Sequence, residues 1–149
     1  MLKLLNVSKV RDVKDPQRGT PGSAGIDFFI PNDCDNVFIP AHGNALIPSG
    51  IKVKVPEGFA LIAMNKSGVS TKLGLVVGAC VVDSDYQGEV HIHMINTTGK
   101  SVVLAPGQKI VQFLLTPIEH CGVSVVPLDQ LYSTETVRGA GGFGSTGTS

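Results

Sequence analysis

Two stretches of the chain alternate apolar and polar residues with the period of a β-strand. Ile51-Lys52-Val53-Lys54-Val55 sets three aliphatic residues against two lysines. Val90-His91-Ile92-His93-Met94 repeats the arrangement with two histidines on the polar face. Two other runs, Phe59 to Met64 and Ile110 to Leu115, are nearly continuous in apolar residues and predict strands buried on both faces. Turn signals punctuate the runs at short intervals: Pro21-Gly22, Pro31-Asn32-Asp33, Pro48-Ser49-Gly50, Pro56-Glu57-Gly58, Thr98-Gly99-Lys100 and Pro106-Gly107. Many short strands between such turns predict an all-β sandwich or barrel. The one helical segment expected is a turn or two from Ser67 to Leu73, with Ser67 as its cap.

One break in composition stands out. From Arg138 to Ser149 the sequence is RGAGGFGSTGTS, too poor in apolar residues to build a core. The expected organisation is a β domain over 1–137 and a mobile Gly-rich arm over 138–149. A length of 149 residues suits a single core, and 42% apolar against 16% charged residues excludes a disordered chain. Basic and acidic residues balance at 12 each, so no overall field draws the chain to nucleic acid or a membrane surface. A polyanionic ligand would be held by a few local cations and backbone amides. Cys34, Cys80 and Cys121 are widely spaced without CxxC pairs, and no apolar leader-like run opens the sequence. Both features predict free thiols and an intracellular protein.

The stretch VVDSDYQGEV, residues 81–90, places two carboxylates and a tyrosine between strand-like runs, which reads as a polar hairpin turn, a calcium loop or a carboxylate beside a pocket. Asp83, Asp85 and Gly88 occupy positions one, three and six of a calcium loop, but Gln87 and Met94 stand at positions five and twelve and the flanks are strands. That excludes an EF-hand. Gly99-Lys100-Ser101 imitates the end of a P-loop, yet Met94 stands where its first glycine is required, which leaves a hairpin turn. Asp83 follows two valines directly. Spacing alone leaves open whether it is an exposed strand-end acid or a carboxylate beside a pocket.

Five segments in order change the weighing. They are AGIDF at 24–28, KSGVSTKLG at 66–74, GACVVDSDYQGE at 78–89, PGQKIVQ at 106–112 and RGAGGFGSTG at 138–147. Together they resemble the five motifs of the homotrimeric dUTPase family, over nearly the whole chain. The resemblance implies a jelly-roll-like β fold, a trimer with active sites at subunit interfaces, and hydrolysis of dUTP to dUMP and pyrophosphate. It also implies Mg2+, held mainly by the substrate phosphates.

Carried over by motif, Asp83 would orient and activate the attacking water as a general base, and Gln112 would sit against the α-phosphate and that water. Tyr86 would pack under the deoxyribose and exclude a 2'-hydroxyl. The backbone around Val77, Cys80 and Val82 would read uracil, although Val77 and Cys80 stand where relatives often have Asn and Gly. Ser67 and Gly68 would cradle phosphate. Lys66 occupies the place of a frequent arginine, and Asn65 that of a proline, so charge is kept without the bidentate fork. Asp27 would act on metal-bound waters or hold a basic partner. In the arm, Arg138 would meet the γ-phosphate, Phe143 would stack on uracil, and Gly144, Ser145 and Thr146 would close over phosphate oxygens. His91 and His93 share a strand face and are expected in packing or at a subunit contact.

Two alternatives accompany this reading. One is a nucleotide-gated regulatory or protein-binding module on the same fold. The other is a dCTP deaminase relative, for whose added acid–base apparatus no segment is found.

Overall fold

The structure is a computed structural model that describes residues 3–149. Eleven strands and one short helix form between residues 6 and 117. In chain order these are β1 (Asn6–Lys9), β2 (Ile26–Phe29), β3 (Val37–Ile39), β4 (Asn44–Pro48), β5 (Ile51–Lys54), β6 (Phe59–Asn65), α1 (Ser67–Leu73), β7 (Leu75–Val77), β8 (Val81–Val82), β9 (His91–Asn96), β10 (Val102–Leu104) and β11 (Lys109–Pro117). The strands make four small antiparallel sheets, ordered β1-β5, β10-β3, β2-β11-β6-β8 and β4-β9-β7. This is the expected all-β, jelly-roll-like architecture. The chain divides into two compact units, the first ending at Glu119 and the second spanning His120–Ser149.

The alternating runs behave as their period requires. In β5 Ile51 and Val53 are buried while Lys52 and Lys54 are exposed. In β9 Ile92, Met94 and Asn96 are buried, with His91, His93 and Ile95 on the other face. Between the sheets lie Ile39, Ile47, Leu61, Leu75 and Leu104, with Phe28 against Phe113 at a ring-centroid distance of 4.4 Å.

Four expectations need correction. The apolar runs in β6 and β11 are not buried throughout on both faces: on the face away from Leu61 and Phe113, Met64 is exposed and Ile62 and Leu114 are only half-buried. The stretch 81–90 does not close a hairpin, since β8 pairs with β6 whereas β9 pairs with β4 and β7. Residues 98–100 likewise join strands of different sheets. Their turn is held by the buried Asn96, which donates to the carbonyls of Ile39, Pro40 and Lys100 and accepts from Thr98. Finally, the residue at the N-cap of α1 is Lys66, without a side-chain cap, and Ser67 is the first helical residue. At the other end Gly74 takes φ 66°, the left-handed conformation that terminates helices at low cost in glycine.

Candidate functional site

The second and fourth motifs meet where β6 runs into α1. Asp27 on β2 pairs across β11 with Gln112, which pairs in turn with Met64 on β6. This register brings the Asp27 carboxylate under the Lys66 ammonium, 2.6 Å from Oδ1, while Lys109 approaches Oδ2 at 3.7 Å. Asp27 is only 4% exposed, so its charge needs these partners. Gln112 Nε2 donates to the Asn65 carbonyl at 2.8 Å. A Cβ at Gly25 would overlap the Gln112 amide, which explains that glycine. Asn65 also accepts from the Val77 N–H through Oδ1 at 2.8 Å, tying the end of β6 to β7.

Ser67 and Gly68 open α1, whose first-turn N–H groups have no intrahelical acceptors and no side-chain cap. A Cβ at Gly68 would meet nothing within 4 Å. Glycine there costs helix stability, about 1 kcal/mol against alanine, and the packing of this chain does not account for it.

The third motif builds a second cluster. A cavity of about 190 Å³ is lined by Ala79, Cys80, Val81, Val82, Asp83 and Tyr86 from the motif, with Leu46, Val90, His91 and Phe113 beneath and beside them. Asp83 begins a tight turn in which the Tyr86 N–H donates to its carbonyl at 3.2 Å. Its side chain is exposed and forms no ion pair among the described residues. The Tyr86 hydroxyl donates to the Glu89 carbonyl at 2.8 Å, and a Cβ at Gly88 would overlap that ring. Glycine is therefore required for the tyrosine to fold back over the loop. Val77 lies outside the cavity lining, its N–H engaged by Asn65.

An ion pair that the motifs did not point to anchors the end of this loop. Arg11 grips Glu89 with Nε at 2.7 Å and Nη2 at 3.1 Å, and the Gly50 N–H adds 2.9 Å. The Arg11 hydrogen bonds hold the Glu89 carboxyl below its ordinary range and raise the guanidinium in return. Burial pushes the neighbouring Cys34 thiol up. No spacing signal links residues 78 positions apart, so only the folded chain reveals this contact.

The two clusters are not merged within one chain. Gln112 pairs with Met64, and Val82 pairs with Leu61 on the far side of β6. At about 4.8 Å between strands and 3.3 Å per residue, the backbones of Gln112 and Asp83 lie about 16 Å apart. The Gln112 amide moreover points to Asn65, away from Asp83. One water needs both groups within about 3 Å, which this separation forbids.

The arm residues occupy the second unit. Arg138 Nε donates to the Gly141 carbonyl at 2.8 Å, and successive tight turns run through Gly142–Ser145 and Gly144–Gly147. Phe143 is fully exposed with a positive φ of 52°, an unusual conformation for a bulky residue. Gly144, Ser145 and Thr146 are also exposed.

A resident metal finds no carboxylate cage here. Among the described residues no group of three or more His, Cys, Asp or Glu side chains could hold an ion, and both Asp27 oxygens face lysines. The described side chains of a single chain do not by themselves fit a direct Mg2+ site.

Comparison with solved structures defines the fold. The Staphylococcus bacteriophage 80alpha dUTPase, solved with dUPNHPP, matches with a TM-score of 0.86 at 23% identity, over 99% of this chain and 100% of that one. A mutant dUTPase from phage phi11 of S. aureus, solved for the coordination of a structural Mg(II) ion, matches with 0.75 at 22% identity, over 83% and 97%. The fold is thus the jelly-roll-like β fold of these structures. The family model described as dUTPase covers residues 11–147. The deoxyuridine 5'-triphosphate nucleotidohydrolase of Paramecium bursaria Chlorella virus 1 is 37% identical over 99% of both chains. Its Arabidopsis thaliana counterpart is 40% identical over 89% of this chain and 75% of its own. The chain belongs to the dUTPase family, and it is an enzyme.

Proposed function

We propose that the chain hydrolyses dUTP to dUMP and pyrophosphate, with water adding to the α-phosphorus and pyrophosphate leaving. The observation that carries this reading is the cavity in which Asp83 and Tyr86 stand against the backbone of 79–82. Strand and turn amides and carbonyls can match uracil's O2, N3–H and O4, whereas cytosine presents the wrong donors. A site built on hydrogen bonds rejects such mismatches strongly, because its own buried groups are left unpaired. Tyr86, held by Gly88 and the Glu89 carbonyl, closes the side on which a 2'-hydroxyl would project.

Asp83 takes the proton of the attacking water, and its exposed carboxylate is available for that task. Gln112, Lys66 and the open first turn at Ser67–Gly68 receive the phosphates. The separation of Gln112 from Asp83 supports an active site shared between copies of the chain, in a homotrimer. One copy contributes the pyrimidine cavity and another the phosphate cradle. Residues 138–149 act as an arm that closes over a site, with Arg138 on the γ-phosphate and Phe143 on uracil; the exposure of Phe143 supports an aromatic awaiting a partner. Magnesium arrives as the counter-ion of the triphosphate, and Asp27 serves as the fixed partner of Lys66. In the cell the reaction limits uracil in DNA and supplies dUMP for thymidylate synthesis.

The test is pyrophosphate release from dUTP, UTP, dCTP and dTTP. Release confined to dUTP is expected. Equal turnover of UTP and dUTP would overturn the role of Tyr86, and no release from dUTP would overturn the reading as a whole.

A further inference from the structure

We propose that His93 is a positioning residue for the pyrimidine subsite. Its Nδ1 fixes the backbone of the Gly78–Cys80 turn that walls the cavity. This inference rests on the dUTP reading of that cavity and names a part that the five motifs do not contain.

Two consecutive amides of the turn end on this one residue. The Gly78 N–H donates to the His93 carbonyl at 3.0 Å, and the Ala79 N–H donates to Nδ1 at 2.9 Å. A backbone N–H can only donate, so Nδ1 is the unprotonated nitrogen and the ring is neutral. Nε2 therefore carries the hydrogen and donates to Asn44 Oδ1 at 3.0 Å. Asn44 on β4 thus selects the tautomer that lets the ring accept from Ala79.

The turn is shaped for this contact. A Cβ at Gly78 would overlap the imidazole ring, so glycine is what allows the ring to lie against the turn. From the other side, the Ala63 N–H donates to the Cys80 carbonyl at 2.7 Å, so the turn is clamped between β6 and β9. His93 also sits where the cavity is built. It pairs across the sheet with Leu46 and shares its strand face with His91, and both of those residues line the cavity. An ordinary strand position on this face is served best by a β-branched residue, as at Ile95. Imidazole adds an acceptor for a turn amide that no strand partner serves.

Because the ring touches the turn and not the substrate, its loss should weaken recognition and leave the chemical step intact. The experiment compares His93→Val, His93→Asn and His93→Gln in steady-state assays with dUTP and dCTP. Asn places its Oδ1 where Nδ1 lies, while Gln reaches towards the Nε2 position. For His93→Val, KM for dUTP should rise roughly three- to tenfold with kcat within about twofold, as for loss of one hydrogen bond that acts on binding. Selectivity for dUTP over dCTP should fall with it. His93→Asn should restore most of the loss, and His93→Gln should not. An unchanged KM and selectivity in a folded His93→Val protein overturns the proposal, as does equal damage in all three variants. Where His93→Val fails to fold, Asn44→Ala serves instead, because it removes only the tautomer-selecting acceptor. A KM rise of about twofold or more supports the proposal, and an unchanged KM overturns it. Failure of the underlying dUTP reading looks different, since the parent protein would then release no pyrophosphate from dUTP.

Discussion

The Lys66 ammonium lies 2.6 Å from Asp27 Oδ1, so the cation at the start of α1 is aimed by a carboxylate from β2. Asp27→Asn keeps the shape and removes the charge. The variant should lose about 1.5–3 kcal/mol of stability, the range of a hydrogen bond to a charged group, read from urea unfolding. With Lys66 no longer held, KM for dUTP should rise several-fold.

Asp83 is exposed and forms no ion pair among the described residues. Asp83→Asn should therefore leave the melting temperature unchanged while lowering kcat about 10²–10⁴-fold, the contribution of a positioned general base. Pyrophosphate release and calorimetry on the same sample separate the two effects. A variant that keeps more than a tenth of the parent rate would remove Asp83 from its role.

Gly25→Ala places a methyl group into the Gln112 amide. The glutamine must then leave the Asn65 carbonyl or the strands must part. A loss of about 1–3 kcal/mol is expected from overpacking, with a fall in kcat that a fold-neutral variant such as Lys52→Gln does not show.

The Arg11–Glu89 pair makes stability depend on pH at the acid end. Its hydrogen bonds hold the folded carboxyl below the ordinary glutamate value of about 4.3. Between that value and the lower folded one, the unfolded chain binds more protons than the folded chain. The contribution is thus present above about pH 4.3 and is lost as pH falls through the folded value. Urea midpoints from pH 7 to pH 3 should fall less steeply for Glu89→Gln than for the parent. Parallel curves would show that the contact does not persist in solution.

Removal of residues 138–149 should leave the unfolding of the β unit unchanged and lower kcat/KM for dUTP by at least about tenfold, as expected for loss of a closing segment. Turnover equal to that of the full chain would exclude the arm from the site.

Much of this was legible in the residues themselves. Strand period is a local property, so Ile51–Val55 and Val90–Met94 announced their buried faces without any knowledge of their partners. Motif order likewise survived, because a family's chemistry requires particular residue types in a particular sequence order. What the sequence could not supply was which strand meets which. The 81–90 stretch reads as a hairpin because its two flanks are neighbours in sequence, but each flank gains more from strands elsewhere. Hydrophobic burial is non-directional and rewards the pairing that hides the most surface, wherever the partner lies along the chain.

The polar contacts show the same division. A β protein, five motifs and the types of group they carry are readable from the residues alone. That Arg11 anchors Glu89, that Asp27 aims Lys66, and that His93 accepts from Ala79 follows from the folded chain. Such bonds depend on distance and direction, and neither has a period along the chain.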